Sequence, residues 1–513
     1  MATDVTMLAI IAACAASLGA LCRTTRIRRV HAAGVPLLLA GWLGLVTTVL
    51  PEALQDRALL LAGMLLVAVV AAWLGARLLI GHERWLLAFG AAVLTIRLPV
   101  PTGDGTAMLL GPLYVVIGIG AFVLVRAELR QLRTGERLLP DRGGATRLLD
   151  VGAALLPAAA TLSLLWSYVP SATAEALAFY LVPFVLSYAL VRAWLVAGTS
   201  VLPAAITLIA SSVVFALVGL LQAATHEVWW NPKVIDANRF RPDVRTNSLF
   251  WDPNIYGRAL VVGLVAVVAL LLVSRVRART TGPLVVIIVV LLVALWNTFS
   301  QSSWVALAAG LALLGVLTIP PRPRRWVAAA ALVVLIVGTP IAAQQLSGEG
   351  ENGRGEVART GLGLAAERPV LGWGAGTFET AARDRELERG NRDPDLVASH
   401  TTPITVFAEL GLLGAFTYLT LLTSAVVTIL ARWRRTSTPG SAARAAASSP
   451  LELEPTGWPA AATIWAGAAF VAITAHSLLY AGFFEDPTMW VTLAVLASLP
   501  TRDRAIHGPM APD

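Results

Sequence analysis

"IYGRALVVGLVAVVALLLVSRVRARTTGPLVVIIVVLLVALWNTF", residues 255–299, holds two long apolar runs parted by a short segment carrying Arg275, Arg277 and Arg279. A helix rises 1.5 Å per residue, so about 20 apolar residues cross roughly 30 Å of hydrocarbon. The stretch therefore predicts two membrane helices joined by a basic turn. The same pattern repeats along the chain, whose 513 residues are 57% hydrophobic and only 14% charged, with a mean hydropathy of +0.73. Spans are expected near 5–22, 32–50, 58–80, 85–100, 107–125, 151–169, 176–196, 201–222, 255–274, 282–299, 303–320, 326–343, 403–431, 458–481 and 487–500. The expected fold class is an all-α polytopic membrane protein of about 12–15 transmembrane helices, with short helices in a large extracytoplasmic loop.

The formal charge of +8 raises the question of a nucleic-acid partner. Its distribution argues against one. Arginines cluster at alternate span ends, around Arg23–Arg29, Arg126–Arg137, Arg275–Arg279, Arg322–Arg325 and Arg432–Arg435. The positive-inside rule makes that side cytoplasmic, which places the N-terminus outside and the C-terminus inside. The first apolar run lacks a basic n-region and a clear cleavage site, so it is expected to be retained as a span.

Cys14 and Cys22 both lie in or beside that run, leaving no pair for a disulfide in the external loops and no cysteine zinc site. Lys233 is the only lysine, so there is no Gly-Lys of a phosphate-binding loop. "GEGENG" at 348–353 fits a dinucleotide-binding pattern by letter, but it follows no strand and opens no nucleotide-binding unit.

The chain divides into N-terminal transmembrane helices (1–222), a first extracytoplasmic loop (223–254), central helices (255–343), a large extracytoplasmic loop (344–402) and C-terminal helices (403–513) with a cytoplasmic linker at 432–457. Within the large loop, Val357, Leu362, Leu364 and Ala365 recur at roughly helical intervals before Pro369, predicting an amphipathic helix over 354–368. "LGWGAGTF" follows as a glycine-rich turn, and 378–389 is expected to form a second helix.

The chemistry-bearing residues concentrate in the outer loops. Arg239, Arg241, Arg245, Arg354 and Arg359 offer planar forks of donors suited to phosphate oxygens; contact with lipid head groups is the plainer reading of each. Arg258 differs, because a charge inside a span is expected to face the bundle interior. His400 closes the large loop just before a span, where a neutral imidazole suits either a general base for a sugar hydroxyl or an interfacial anchor. Glu409, deeper in the same span, is expected to orient a loop, bind a substrate group, or pair with Arg77, Arg97 or Arg192. His476 reads as a hydrogen-bonded packing residue, and no HxxxH or HExxH pair suggests a metal.

Three stretches resemble the O-antigen ligase and polymerase family of bacterial polysaccharide assembly: "RTNSLFWDPNIYGRAL" (245–260), "TFSQSSWVAL" (298–307), and "GRGEVARTGLGLAAERPVLGWGAGTF" with "SHTTPITVFAELGLLG" (353–378 and 399–414). The resemblance implies a metal-independent glycosyltransferase of the bacterial plasma membrane, without cofactor, acting on the extracytoplasmic side. Its donor would be a glycan on undecaprenyl pyrophosphate and its acceptor a glycan or lipid hydroxyl, with other polysaccharide assembly proteins as possible partners. Carried onto this chain, His400 would activate the acceptor, and Arg245 with Arg354 or Arg359, and Arg258 nearby, would hold the pyrophosphate. Asn254, Ser300 and Glu409 would support them. The chain departs from the family at Ser300-Gln301, where Ser-Arg is frequent, and at His400-Thr401, where His-Asn is frequent. Two readings of a different class stand beside this one. A transporter or flippase of lipid-linked sugars or small anions would place its polar residues in broken helices near the midplane. A non-catalytic assembly scaffold would need none of them.

Overall fold

The computed structural model describes residues 2–50, 58–102, 105–135, 144–240, 243–273, 278–318, 354–390, 401–436, 458–480 and 482–498. Among them, nine helices are long and apolar enough to cross a membrane, and four shorter apolar helices accompany them. The chain is a multi-pass helical membrane protein. The span expected at 326–343 lies outside the described residues.

The N-terminal half comprises α1 (Ala2–Cys22), α2 (Arg28–Val49), α3 (Ala58–Leu79), α4 (Glu83–Val93), α5 (Gly111–Thr134), α6 (Gly144–Ser163), α7 (Pro170–Val196) and α8 (Leu202–Thr225). The expected span at 85–100 is corrected: α4 stops at Val93, and the chain turns into an antiparallel hairpin. Its strands are β1 (Leu98–Thr102) and β2 (Gly105–Leu109), with Leu98 opposite Leu109. Pro99 and Pro101 supply no amide hydrogens to a helix, which forces the extended conformation. The hairpin is the one departure from an all-α architecture among the described residues.

Helix α7 contains a π turn at Leu177–Leu181 just before Pro183. Proline has no N–H for the carbonyl four residues earlier, and a free carbonyl is costly away from water. That carbonyl, on Phe179, accepts from the Tyr114 hydroxyl at 2.6 Å, and its neighbour on Ala178 accepts from Trp42 Nε1 at 2.8 Å. The side chains of α2 and α5 thus complete the backbone of α7.

The arginine-rich end is held by buried ion pairs. Arg23 donates to Glu128 at 2.5 Å, and Arg28 caps the C-terminal carbonyls of α5, Gln131 and Gly135, at 2.9 and 3.1 Å. Arg192 grips Asp150 through Nε and Nη2 at 2.6 and 3.1 Å, while Tyr188 donates to the same carboxylate at 2.7 Å. Asp150→Ala, which strands the buried Arg192 charge, is expected to destabilise the protein by about 3–5 kcal/mol. Thermal unfolding in detergent reads this, and Asp150→Leu with Arg192→Leu should recover most of the loss.

The C-terminal half adds α9 (Pro232–Asn238), α10 (Pro253–Val273), α11 (Ala278–Trp296), α12 (Gln301–Thr318), α13 (Arg354–Glu367), α14 (Phe378–Glu388), α15 (Thr402–Thr436), α16 (Trp458–Ser477) and α17 (Pro487–Ser498). Helices α10, α12 and α16 pack together, α15 lies along α6, and α17 along α7. Both helices expected in the large loop are present. The buried face of α13 includes Val357, Thr360, Gly361, Leu364 and Ala365, whereas Leu362 is 53% exposed. The expectation for Leu362 is thereby corrected: it lies outside the i, i+3, i+4, i+7, i+8 stripe through the other five.

Candidate functional site

At the end of the bundle opposite the arginine clusters, the segment after α9 folds back over the starts of α10 and α12. Gln222, fully buried in the last turn of α8, accepts from the amides of Asn247 and Ser248 at 3.2 and 2.7 Å and donates to the Ser248 carbonyl at 3.0 Å. This clamp holds Ser248 at φ 52°, a left-handed conformation that a β-substituted residue adopts only under constraint. Phe299, at φ 49°, makes the matching turn from α11 into α12. The two turns meet where the Thr246 amide donates to the Asn297 carbonyl at 2.9 Å.

A chain of side chains starts from this junction. Arg245 donates through Nε to the Thr298 carbonyl at 3.0 Å and through Nη2 to Asn254 Oδ1 at 3.2 Å. Ser300 donates to the same Asn254 oxygen at 2.8 Å and lies 2.8 Å from Ser303 Oγ and 3.1 Å from Ser302 Oγ. Ser302 in turn lies 3.1 Å from Nε2 of His476, which is fully buried. The structure therefore joins Arg245, Asn254 and Ser300, three of the residues singled out in the sequence, and extends them to a histidine read there as packing.

Arg258 lies on the same helix one turn below Asn254 and is 3% exposed. Its Nε pairs with Asp486 at 2.7 Å, and Nη1 donates to the Gly482 carbonyl at 3.2 Å. Residues 478–480 and 482–486, between α16 and α17, bring further groups to this place. Tyr480 hydrogen-bonds to the Asp252 carboxylate, and burial together with that negative charge pushes its phenol well up. Glu485 is solvent-exposed, yet the protein packed around it desolvates its carboxyl and raises it above the ordinary range; the guanidinium groups of Arg97 and Arg258 oppose the shift and Glu379 adds to it. Arg97, just ahead of the hairpin, donates to the Glu485 carbonyl at 3.1 Å.

The large loop reaches the same end through a break in α15. Gly411 has φ 60° and ψ −151° inside that helix. Across the break, the Trp373 and Gly374 amides donate to the Ala408 and Glu409 carbonyls at 3.0 and 2.7 Å, and the Leu412 amide donates to Pro369 at 2.8 Å. The Glu409 carboxylate accepts from the Phe378 amide at 3.1 Å and from the Gly376 amide, at the start of α14, whose own cap residue Thr377 makes no capping bond and donates its hydroxyl to the Gly374 carbonyl instead. Glu409 thus ties the start of α14 to α15. No pairing with Arg77, Arg97 or Arg192 is involved: Arg77 lies over the Trp73 ring and Arg192 is held by Asp150. Glu409→Gln, which keeps the accepting oxygen, is expected to leave stability near wild type, whereas Glu409→Ala should cost about 1–2 kcal/mol as a lost helix cap; chemical denaturation compares them.

The remaining expected residues lie elsewhere or are not described. Arg359 is exposed on α13, Arg354 begins that helix, and His400 lies outside the described residues. Gln301, the departure from the resembled motif, is exposed at the start of α12. Gln222, Tyr480, Glu485 and Asp486 escaped the sequence reading, which has His476 as a hydrogen-bonded packing residue. The signal available for Tyr480, Glu485 and Asp486 was the acidic pair and glycine of "LYAGFFEDP" between two apolar runs.

The search of curated proteins finds no match to this chain. Residues 285–419 match the O-antigen ligase family model. The matched segment runs from α11 through the Ser300 cluster and the large loop to just past the break at Gly411, and leaves Arg245, Asn254 and Arg258 outside it. This polytopic membrane protein carries an O-antigen ligase domain over residues 285–419 and is an enzyme of the ligase or glycosyltransferase kind.

Proposed function

We propose that the protein transfers or polymerises a glycan from a polyprenyl-pyrophosphate donor onto an acceptor hydroxyl at the outer face of the plasma membrane, without a metal. The observation that carries this reading is the Arg245–Asn254–Ser300 array, set in a polar end of the bundle beside the large loop of the ligase domain. The positive-inside rule makes the arginine-rich end cytoplasmic, which puts the opposite end, the one holding the array, on the extracytoplasmic side.

The acceptor oxygen forms a bond to the anomeric carbon as the bond from that carbon to the pyrophosphate oxygen breaks. The electron pair leaves with the polyprenyl pyrophosphate, and His400 takes the acceptor proton. Guanidinium donors aimed at the leaving oxygens stabilise the charge that develops there, the task a divalent ion performs in other transferases. Arg245 is fixed by two side-chain bonds before substrate arrives, so little reorganisation accompanies the step. Arg354 or Arg359, on α13, supplies the second guanidinium, and Arg258 supports the array from below.

The test is glycan transfer by purified protein in liposomes, with a polyprenyl-pyrophosphate oligosaccharide and EDTA present. His400→Ala is expected to lose about 10²–10⁴-fold in rate, the usual share of a general base, and Arg245→Ala a comparable amount. Full activity in folded His400→Ala protein would remove the proposed base. The broken helix at Gly411 is a feature that transporters use. Here its freed amides and carbonyls are spent on residues 369–374 of the same chain, which favours a docked loop over an ion or substrate site. Donor crossing the bilayer without glycan transfer in the same liposomes would reverse that preference.

A further inference from the structure

A half-open pocket of about 130 Å³ lies among α4, α5, α7, α8, α10, α16 and α17. It is roughly ten times the space one water needs. Its lining is apolar save for Ser187, whose hydroxyl is already bonded to the Phe184 carbonyl at 2.7 Å, so it offers water almost nothing to hold. Neither the arginine-and-serine array nor the ligase-domain match accounts for this chamber.

The chamber and a small pocket at the polar end share three lining elements and the residue Leu94. On α10, Arg258 and Val262 line the small pocket, and Ala266 and Leu270, the next residues along the same i+4 stripe, line the chamber. On α17, Thr488 faces that pocket, with Val491 and Val495 facing the chamber. On α4, Gly90 lines the chamber and Leu94 lines both spaces. Arg97 stands at the mouth, spending one N–H on the Glu485 carbonyl. One strip of lining residues thus runs from guanidinium groups to an apolar chamber, the polarity profile of an anionic head on a long hydrocarbon chain.

We propose that this strip seats the isoprenoid chain of the donor, with its first prenyl units in the chamber and Arg97 on the lipid-side phosphate. The inference rests on the donor reading above and adds to it a seat built by the N-terminal half of the chain. The chamber then selects donors by the chain next to the phosphate, while the loop and the Ser300 cluster deal with the glycan.

The experiment is photolabelling of the full-length protein in lipid nanodiscs with two probes, a polyprenyl diphosphate bearing a diazirine on its first prenyl units and the corresponding polyprenol. The diphosphate probe is expected to label peptides of α4, α10 and α17. Gly90→Phe and, as an independent variant, Ala204→Phe should reduce that labelling by about tenfold or more, as the area of one prenyl unit leaves the chamber. Arg97→Gln should lower it to the level of the polyprenol. Equal labelling of the chamber by both probes would mark it as a seat for any membrane lipid and overturn the proposal. Labelling of outward faces such as Val286 and Val289 of α11, unaffected by either filling variant, would do the same. The probes carry no glycan, so chamber labelling by a protein that fails to transfer glycan would uphold the seat and refute the transferase reading. Transfer without chamber labelling would refute the seat alone.

Discussion

Gly411→Val is expected to undock the large loop and to leave protein that aggregates or elutes as a broad, heat-labile species. The native φ of 60° with ψ of −151° falls in a region that only glycine enters without a penalty of about 1–3 kcal/mol. Strain is the smaller part. A Cβ here would stand 2.5 Å from both the carbon and the oxygen of the Val370 carbonyl and 2.7 Å from the Leu371 nitrogen, and backbone atoms cannot rotate aside. The loop would have to withdraw, releasing the bonds between residues 369–374 and 408–412. At that depth a bare peptide group costs several kcal/mol, so the losses compound. Gly372→Ala should act similarly, because its Cβ would meet the Glu409 backbone at 2.3 Å. Gly363→Ala is the control, since nothing lies within 4 Å of its Cβ, and alanine favours the helix it sits in. Thermal scanning with size-exclusion detection and limited proteolysis of the loop compare the three. Wild-type stability and an unchanged cleavage pattern in Gly411→Val would show that the close approach at this break does not hold the loop.

The second large effect is expected at Arg258 and Asp486, where stability and activity should separate. Removing either partner alone leaves a buried charge without compensation, a loss of about 3–5 kcal/mol. Replacing both, as Arg258→Met with Asp486→Leu, should restore most of that stability, because apolar groups of similar volume need no pairing in this place. Glycan transfer should stay depressed in the double variant by about 100-fold or more, the loss expected when a charged donor near the leaving group is gone. Recovery of transfer along with stability would reduce Arg258 to a packing element and leave Arg245 as the proposed phosphate contact on that side.

Both predictions depend on pairings that the linear chain does not display. Arg258 and Asp486 stand 228 positions apart, and Ser302 meets His476 across 174. Arg245 stood out in the sequence as a guanidinium suited to phosphate and Arg258 as a charge inside a span, whereas Asn254 was marked only by the family resemblance. His476 carried no such mark, being one polar residue in an apolar span. Glu409 was recognisable as exceptional in its span, but its partner is the amide of Phe378 and not a side chain, and backbone partners leave no mark in the alphabet of residues.

The sequence by itself determined the membrane class, the positions of most spans and the two helices of the large loop. Each follows from hydropathy or periodicity over about 20 residues, a local property that lipid and water read directly. It also marked the arginines suited to phosphate, since a guanidinium carries its fork of donors into any fold. Only the tertiary structure decided that the run expected at 85–100 ends in a hairpin, that α15 breaks where residues 369–374 dock, and that Asn254 and Ser300 share one hydrogen bond network. The same holds for the chamber beneath Arg97. These features arise where helices far apart in sequence meet at one end of the bundle, and the geometry of each meeting is set by how buried backbone and charge find partners in a medium that supplies none.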